Sequence, residues 1–263
     1  MEQITYNPNM RLRDENHLAI ARAFHQPGVA TFLPRAFLLG NRLPGWENTE
    51  AFFLATPRIG AKFLECTLEI APDGGSVSRV ENEFENYMFV LEGEVELNLQ
   101  GRVHTMEKEG FFWAPEGVDF AIRNRRGSTA RLVWVRKRYV GTPYFSVPQP
   151  IVSSLFDIPG TQGTEELEQQ CLPYDANRGF DMGMNMMSFA PGVTFPCVET
   201  HIIEHGNYFV SGRGMISING RYYEVFPDDF CYVAPFTPHT ACGLQPEPMR
   251  YLLFKCLNRE FTL

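Results

Sequence analysis

The sequence lacks several features that define common classes of protein. No apolar run approaches the ~18–20 residues of a membrane-spanning helix, and the N-terminus has no apolar core typical of a signal peptide. Nor is there an evident glycine-rich nucleotide-binding loop, nucleophilic-serine motif or helix-turn-helix pattern. We therefore expect a cytoplasmic protein that has no membrane partner.

Positive charge is scarce as well. The 23 Lys and Arg residues are outnumbered by 31 Asp and Glu residues, which gives a net charge of −8 at pH 7. Such a balance opposes unspecific binding to nucleic acid, so we expect no nucleic-acid partner. A pocket can still be locally cationic, and a small anionic substrate is the partner that we predict.

Closely spaced cysteine pairs are also missing. The six cysteines show no C-x-x-C spacing, and most of them lie beside apolar residues. This pattern is typical of buried free thiols in a reducing compartment rather than of disulfides.

What the sequence does have is many turn residues and an internal repeat. The 22 Gly and 19 Pro residues alternate with segments rich in Val, Ile, Phe and Tyr, which favours an all-β fold. Residues 71–120 resemble residues 190–239 at a constant spacing of 119. The matched pairs are Gly93 and Gly212, Gly101 and Gly220, Arg102 and Arg221, Glu109 and Asp228, and Phe120 and His239.

Each copy of the repeat predicts a β meander. Asn219-Gly220 is a strong two-residue hairpin signal between two apolar segments, and Gln100-Gly101 takes the same place in the first copy. Short strands with regular turns indicate a small barrel, and the length allows two. We predict an N-terminal barrel domain at residues 1–150, an irregular connector at 151–175 and a C-terminal barrel domain at 176–263.

Two finer expectations concern the segments around these barrels. Residues 1–60 are expected to supply additional strands and arms to the first half. The sequence TEELEQQ at residues 164–170 is expected to form a short helix with Thr164 as its N-cap.

The second copy contains a group of residues that suits a metal ion. Glu199 and His201 project to one face of a strand because the side-chain period is two. His205 keeps that parity beyond a bend expected at Glu204–Gly206, and barrel closure would return His239 to the same place. One carboxylate and three imidazoles make a divalent site with room for water or substrate. A single histidine is usually structural, but three beside a carboxylate are more often a metal site.

The first copy provides an internal control for this site. The four candidate ligands map to Val80, Asn82, Asn86 and Phe120, none of which replaces a strong ligand set. The first half is therefore expected to keep the scaffold without the metal.

At this point a family resemblance is visible. The pattern G-x6-E-x-H-x3-H-x6-G from residue 192, followed by P-H at 238–239, resembles the two motifs of cupins. The closer similarity is to the bicupin (S)-ureidoglycine aminohydrolases, carried by residues 44–63, 179–192, 199–214 and 251–259. The resemblance implies two tandem double-stranded β-helix barrels and a homo-oligomer.

The resemblance also implies a reaction and a set of roles. A Mn²⁺ enzyme would convert (S)-ureidoglycine and water to (S)-ureidoglycolate and ammonia in allantoin breakdown, although Fe²⁺, Ni²⁺ or Zn²⁺ would also suit the ligands. The family's metal ligands fall on Glu199, His201, His205 and the position of His239. Its substrate-contacting tyrosine and lysine fall on Tyr251 and Lys255, which share a face of one predicted strand.

The expected chemistry assigns these side chains different tasks. Glu199 would act as a ligand or as a proton acceptor. Lys255 would pair with the substrate carboxylate or shuttle a proton, and Tyr251 would orient the substrate. Without the resemblance, Lys255 would be interpreted as a solvated charge and Tyr251 as barrel core.

Two departures from the family keep other functions open. His239 stands where the family has a glutamine, and Ile216 where the family pocket has a tyrosine. Three histidines plus a carboxylate are also common in cupin oxygenases and isomerases that act on other small carboxylates. A non-catalytic binding module is the third and weakest alternative.

Other polar and sulfur-containing groups are expected to be structural. Glu204 would face solvent or support a ligand histidine. Glu81, Glu83 and Glu85 would form a solvated face, and the basic runs at 123–126 and 136–138 an interface or a solvated edge. Core packing is expected for Met182, Met184, Met186 and Met187.

Overall fold

The structure of the protein is a computed structural model, which describes residues 22–80, 83–162, 166–174 and 176–259. The regular secondary structure in these ranges is almost entirely β-strand. Three short 3-10 helices occur at Arg35–Phe37, Pro57–Ile59 and Leu155–Asp157. The described ranges contain no helix long and apolar enough to cross a membrane.

The first eleven strands occupy the N-terminal half. They are β1 (Phe24–Gln26), β2 (Ala30–Leu33), β3 (Asn41–Arg42), β4 (Trp46–Ala55), β5 (Phe63–Ser76), β6 (Glu85–Glu92), β7 (Glu94–Leu99), β8 (Arg102–Glu107), β9 (Gly110–Ala114), β10 (Phe120–Arg123) and β11 (Ala130–Lys137).

The remaining ten strands follow. They are β12 (Ile151–Ser154), β13 (Gly160–Gln162), β14 (Glu166–Leu172), β15 (Met182–Phe189), β16 (Glu204–Ser211), β17 (Arg213–Ile218), β18 (Arg221–Val225), β19 (Phe230–Val233), β20 (His239–Leu244) and β21 (Met249–Cys256).

The strand boundaries confirm the repeat and the predicted all-β fold. β6, β7 and β11 become β16, β17 and β21 when 119 is added to their first and last residue numbers. The pairing is also preserved, since β11 lies between β5 and β6, and β21 between β15 and β16. The predicted hairpins occur at both places, where Gln100, Gly101, Asn219 and Gly220 all have positive φ, as the tight turn requires.

Each half encloses its own apolar interior. In the first barrel, Leu68, Val90 and Trp134 pack against Leu97 and Ile122 from the opposite wall. In the second barrel the sheet containing β16, β21 and β15 faces the three-stranded sheet β18-β17-β20. Its interior is formed by Met187, Phe209 and Tyr251 on one side and by Ile216, Ile218 and Ala241 on the other.

A third apolar cluster joins the two barrels. Phe63 of β5 lies 4.2 Å from Phe254 of β21, measured between ring centroids, and both side chains are buried. Met182, Met184 and Met186 belong to this cluster, and Met187 to the second barrel. The prediction that these methionines serve core packing is therefore confirmed.

The segments around the barrels differ from expectation in two places. β1 and β2 join the sheet of the second barrel, where β2 pairs with β19, so the expectation that residues 1–60 supply strands and arms to the first half is wrong for these strands. Residues 166–172 form strand β14 rather than a helix, because their backbone pairs with β13 and β15. Thr164, the predicted N-cap, lies outside the described residues.

The domain boundaries at 150 and 175 stay a prediction. Within the segment expected to be a connector, β12 pairs with β9 of the first barrel, whereas β14 pairs with β15 of the second. The change from one sheet to the other falls between Ser154 and Gly160.

Candidate metal centre

Three imidazoles converge inside the second barrel. The potential ligand atoms of His201, His205 and His239 all lie within 4.8 Å of one another. Nε2 of His205 is 3.2 Å from Nε2 of His201, and the ring centroid of His239 is 5.2 Å from that of His201 and 5.1 Å from that of His205. The predicted meeting of these three residues is therefore present in the fold.

Backbone pairing explains why these distant residues meet. Glu199 and His239 form an antiparallel bridge, and their backbone hydrogen bonds are 2.8 and 2.9 Å long. Phe236 N–H donates to the carbonyl oxygen of His201 at 2.7 Å, which fixes the start of the same loop. His205 follows on β16. The bend lies at Ile202 rather than at the predicted 204–206, which are already part of β16.

Hydrogen bonds set which nitrogen of each ring faces the centre. Nδ1 of His201 lies 3.0 Å from the carbonyl oxygen of Ile203, and Nδ1 of His239 lies 2.8 Å from that of Thr237. A carbonyl can only accept, so each Nδ1 carries a proton and Nε2 is the nitrogen left to face the centre. The ring nitrogens that converge are thus ready to bind a cation.

Burial favours the neutral form of two of these imidazoles. It lowers the pKa of His205 well below its usual value, with further lowering by His239, His201 and Lys255. Burial also lowers the pKa of His239. Neutral imidazole is the form that ligates metals. Nε2 of His201 and Nε2 of His205 lie only 3.2 Å apart, a spacing that a cation or a proton between them would stabilise, so the donor set fits a divalent metal.

The fourth predicted ligand lies at the edge of this cluster. Oε2 of Glu199 is 3.9 Å from Nε2 of His239, and its side chain is 36% exposed. Glu199 is therefore next to one imidazole and open to solvent, whereas His205 and His239 are buried.

The two predicted substrate contacts both lie near the histidines. Tyr251 is buried and lines a cavity together with Glu199, His205, His239 and Ile216. Lys255 is the register partner of His205 on the neighbouring strand, so both side chains share one face of the sheet. Nζ of Lys255 lies 5.6 Å from the ring centroid of Tyr174.

Comparison with known proteins agrees with the fold and the motifs. The Cupin domain family model matches residues 66–136, which lie in the first barrel. A relative from Oryza sativa subsp. japonica, named probable (S)-ureidoglycine aminohydrolase, is 30% identical over 227 residues, which cover 83% of this chain and 70% of the relative. The chain belongs to the (S)-ureidoglycine aminohydrolase family.

Two further matches extend this assignment over nearly the whole chain. The (S)-ureidoglycine aminohydrolase of Escherichia coli (strain K12) is 26% identical over 246 residues, 92% of this chain and 94% of the relative. The crystal structure of a putative glyoxylate-induced protein from Pseudomonas aeruginosa has a TM-score of 0.82 at 30% identity and covers 92% of this chain and 93% of that chain. The predicted cupin fold is thereby confirmed.

In this family member the two departures noted in the sequence both face the site. His239 provides the third imidazole of the cluster, and Ile216 places an apolar side chain on the cavity wall. The site is therefore richer in nitrogen and less polar at its wall than the family pattern implies.

The fold adds cavity residues that the motif did not reveal. Asn207 and Phe195 line the cavity. Asn207 is buried, and its Nδ2 donates to the carbonyl oxygen of Cys231 at 3.2 Å. It lies two residues after His205 on a strand, so the period of two could have identified it. Phe195 lies at one of the unspecified positions between Gly192 and Glu199, in an irregular segment, and no sequence signal points to it.

Glu204 does not support the histidines and does not face solvent. It is buried on the opposite face of β16, where it accepts a hydrogen bond from the hydroxyl of Tyr232 at 2.7 Å and one from the backbone N–H of Lys62 at 3.1 Å. Burial raises its pKa. Both expectations for Glu204 were wrong, because the first barrel packs against this face of β16.

The first barrel retains the geometry of the site without its ligands. Val80 and Phe120 form the bridge that corresponds to Glu199 and His239. Asn86, the counterpart of His205, is buried and accepts a hydrogen bond from the Trp134 indole at 2.9 Å. Asn82, the counterpart of His201, lies outside the described residues.

Proposed function

We propose that the protein is a metal-dependent (S)-ureidoglycine aminohydrolase that uses Mn²⁺ in its C-terminal barrel. The observation that carries the proposal is the convergence of three imidazole nitrogens beside a cavity that Tyr251 lines, in a chain of this family. Nitrogen donors with one carboxylate nearby suit Mn²⁺, and also Fe²⁺, Ni²⁺ or Zn²⁺.

The reaction exchanges one bond at a single carbon. In (S)-ureidoglycine that carbon bears an amine, a ureido nitrogen and a carboxylate. The bond to the amine breaks, a bond to the oxygen of water forms, and a proton from the water leaves with the nitrogen as ammonia. When bound, the metal supplies Lewis-acid chemistry and a fixed point of attachment for the substrate.

The chain's own residues would bind, orient and move protons. The ammonium group of Lys255 would pair with the substrate carboxylate, since it lies on the same face as His205. Tyr251, held between Phe189 and Phe209 at centroid distances of 5.8 and 5.4 Å, would orient the substrate from the wall. Glu199, half-exposed at the edge of the cluster, would accept the proton of the attacking water or bind the metal.

The two roles of Glu199 can be separated by substitution. A Glu199→Gln side chain keeps an oxygen ligand but cannot accept a proton at neutral pH. Loss of kcat with retained metal would assign proton transfer to Glu199, and loss of metal would assign ligation.

The direct test is ammonia release from freshly prepared (S)-ureidoglycine, with elemental analysis of the same sample. We expect stoichiometric ammonia, loss of activity on chelation and recovery on adding Mn²⁺. His205→Ala should lose both metal and activity, and the control His104→Ala, on strand β8 of the other barrel, should lose neither. A fully metal-loaded protein that releases no ammonia would reject the proposal.

The presence of His239 favours a second candidate, a cupin oxygenase or isomerase acting on another small carboxylate. Its imidazole completes a set of three histidines with a carboxylate 3.9 Å away, which suits iron. Oxygen uptake by the Fe²⁺-loaded protein, without ammonia from ureidoglycine, would support this candidate instead.

We also propose a homo-oligomer in the cytoplasm. The six cysteines are all free, which suits a reducing compartment. Two strands end their sheets with exposed apolar side chains at repeat-equivalent positions, Val103 of β8 and Tyr222 of β18, and such edges favour association. Light scattering coupled to gel filtration would measure the oligomeric state.

A further inference from the structure

The first barrel contains a cavity of its own, which we name the N-terminal cavity. It has a volume of about 290 Å³, and its lining includes Trp46, Phe53, Cys66, Val80, Trp134 and Arg136. Val80 and Trp134 are the repeat counterparts of Glu199 and Leu253, which line the cavity beside the candidate metal centre, so the two cavities share part of one wall. The N-terminal cavity is close to the lower limit of the volumes usual for small-ligand sites.

The walls of the N-terminal cavity are aromatic and apolar. The rings of Trp46 and Trp134 lie 5.4 Å apart between centroids and are tilted by 43°. The thiol of Cys66 adds to this surface rather than acting as a nucleophile, because burial and the neighbouring Glu65 raise its pKa well above the usual value. These walls suit the body of an apolar ligand.

Among the described residues, Arg136 is the one charged side chain in the lining of this cavity. The guanidinium carbon of Arg136 lies 4.7 Å from the ring centroid of Phe84 and 5.0 Å from that of Trp134. In the part of the chain that the structure describes, no carboxylate lies within 4.0 Å of Arg136, Glu83 acts on it only as a more distant charge, and its buried Nε has no hydrogen-bond partner. The rings hold the guanidinium in place and leave donors available for an anion.

The repeat relates Arg136 to a second cationic side chain, Lys255. Arg136 lies 119 residues before Lys255, and the two strands that carry them, β11 and β21, are equivalent. A cation is therefore present at the same place in both barrels, while the metal ligands are present in only one.

We propose that the N-terminal cavity is a second, metal-independent site that binds a small carboxylate with an apolar body, such as an arylacetate or a branched aliphatic acid. Arg136 pairs with the carboxylate, and Trp46 and Trp134 contact the body. The wall is too apolar for a ureido compound, so the ligand of this site differs from the substrate of the other. The proposal does not depend on the proposed function.

Phenylacetate is the probe, and intrinsic tryptophan fluorescence and calorimetry are the measurements. Two of the three tryptophans line the cavity, so binding should change the fluorescence, with a dissociation constant on the order of 0.1–1 mM. Neutral phenylacetamide has the same body without the charge and should bind at least about tenfold more weakly.

Substitutions locate the binding. Arg136→Met should weaken phenylacetate binding at least about tenfold, while the control Arg125→Met, which removes an equal charge from an exposed position in the same half, should not. His205→Ala disables the other site and should leave binding intact. Trp46→Phe removes one of the two indoles that contact the ligand and should lower the calorimetric affinity and the fluorescence change together, which tests the site even if Arg136→Met fails to fold.

Three results would overturn the proposal. The first is no heat and no fluorescence change with phenylacetate at millimolar concentration. The second is equal affinity of the Arg136→Met and Arg125→Met proteins. The third is binding that is lost in His205→Ala, which would place the ligand in the C-terminal barrel.

Discussion

Arg250 of the second barrel forms an ion pair with Glu109 of the first, with 2.8 Å between Nη1 and Oε1. The repeat-equivalent residues form the reciprocal pair, in which Nη2 of Arg131 lies 2.6 Å from Oδ1 of Asp228. Glu109 and Asp228 both have positive φ, so the same turn presents each carboxylate. Each barrel therefore contributes the same turn carboxylate and the same arginine to the contact, and the interface contains two equivalent ion pairs.

This relationship predicts a measurable coupling across the domain interface. These groups are partly exposed, with side-chain exposures of 28% for Arg250 and 11% for Glu109, so solvent reduces the strength of the pair. A double-mutant cycle with Arg250→Met and Glu109→Gln should give a coupling free energy of about 0.5–1 kcal/mol in urea unfolding. Additive effects of the two substitutions would show that the contact does not stabilise the interface.

A second, fully buried ionic group links the same halves. Lys137 is buried with Glu85, whose Oε1 lies 3.6 Å from its Nζ, and with Asp181, which accepts a hydrogen bond from the same Nζ. Asp181 also accepts the backbone N–H of Val140 at 2.8 Å. Lys137 and Glu85 belong to the first barrel, while Asp181 precedes β15 of the second.

Removing the cation of this group should be costly. Lys137→Met removes the ammonium group that both buried side chains face and leaves Asp181 only the guanidinium of Arg259, whose Nε lies 3.7 Å from Oδ1. We expect the free energy of unfolding to fall by about 3 kcal/mol. The control Arg126→Met removes an exposed pair with Glu94 and should leave the unfolding midpoint unchanged. Equal midpoints for both variants in guanidinium denaturation would contradict the prediction.

The same group marks the limit of what the sequence can reveal. Glu85 was expected on a solvated face, and Lys137 at an interface or a solvated edge; Glu85 and Lys137 are both buried, whereas Glu83 is exposed. Burial here comes from the other barrel, and no local pattern reports a surface that is covered only after two domains pack. Glu81 lies outside the described residues.

Features that depend on local chemistry or on the repeat were predictable. The hairpin turns follow from Asn219-Gly220 and Gln100-Gly101, and the convergence of His201, His205 and His239 follows from strand parity and barrel closure. By contrast, β14 carries a helix-like composition, and its pairing with β15 prevails over local propensity. Similarly, nothing in β1 and β2 indicates that they pair in the distant sheet.

Glu65 predicts an unusual pH dependence of stability. Both of its carboxyl oxygens are buried without a hydrogen-bond partner in the described part of the chain, and burial raises its pKa to about 8. The folded protein therefore holds a proton that the unfolded chain releases above its ordinary carboxyl pKa. Between these two pKa values stability must decrease as pH rises.

Substitution of Glu65 isolates its share of this effect. In Glu65→Gln the decrease in unfolding free energy from pH 5 to 8 should be smaller by about 1 kcal/mol for each pH unit. Part of the decrease should remain, because burial also raises the pKa of Glu85 to about 8. Urea unfolding at a series of pH values provides the slopes, and identical slopes for both proteins would refute the assignment.

His239→Gln tests the residue at which this chain departs from its family. The amide oxygen of glutamine can still face the centre, but it is a weaker donor than the imidazole it replaces. We expect metal to be retained with at least about tenfold lower affinity in calorimetry. His205→Ala, which removes a buried imidazole from the middle of the cluster, should bind far less metal, and equal losses in the two variants would contradict this ranking.

Gly206 connects the domain interface to the candidate metal centre, and its substitution should expose that connection. A Cβ at this position would lie 2.1 Å from Oε2 of Glu65, and Gly206 stands on β16 between His205 and Asn207. Gly206→Ala should lower the unfolding free energy by about 1–3 kcal/mol through overpacking. Glu65→Ala should relieve the clash. The double variant should therefore lose less unfolding free energy than the two single variants lose together. If the double variant loses as much unfolding free energy as the two single variants together, Glu65 does not require glycine at position 206.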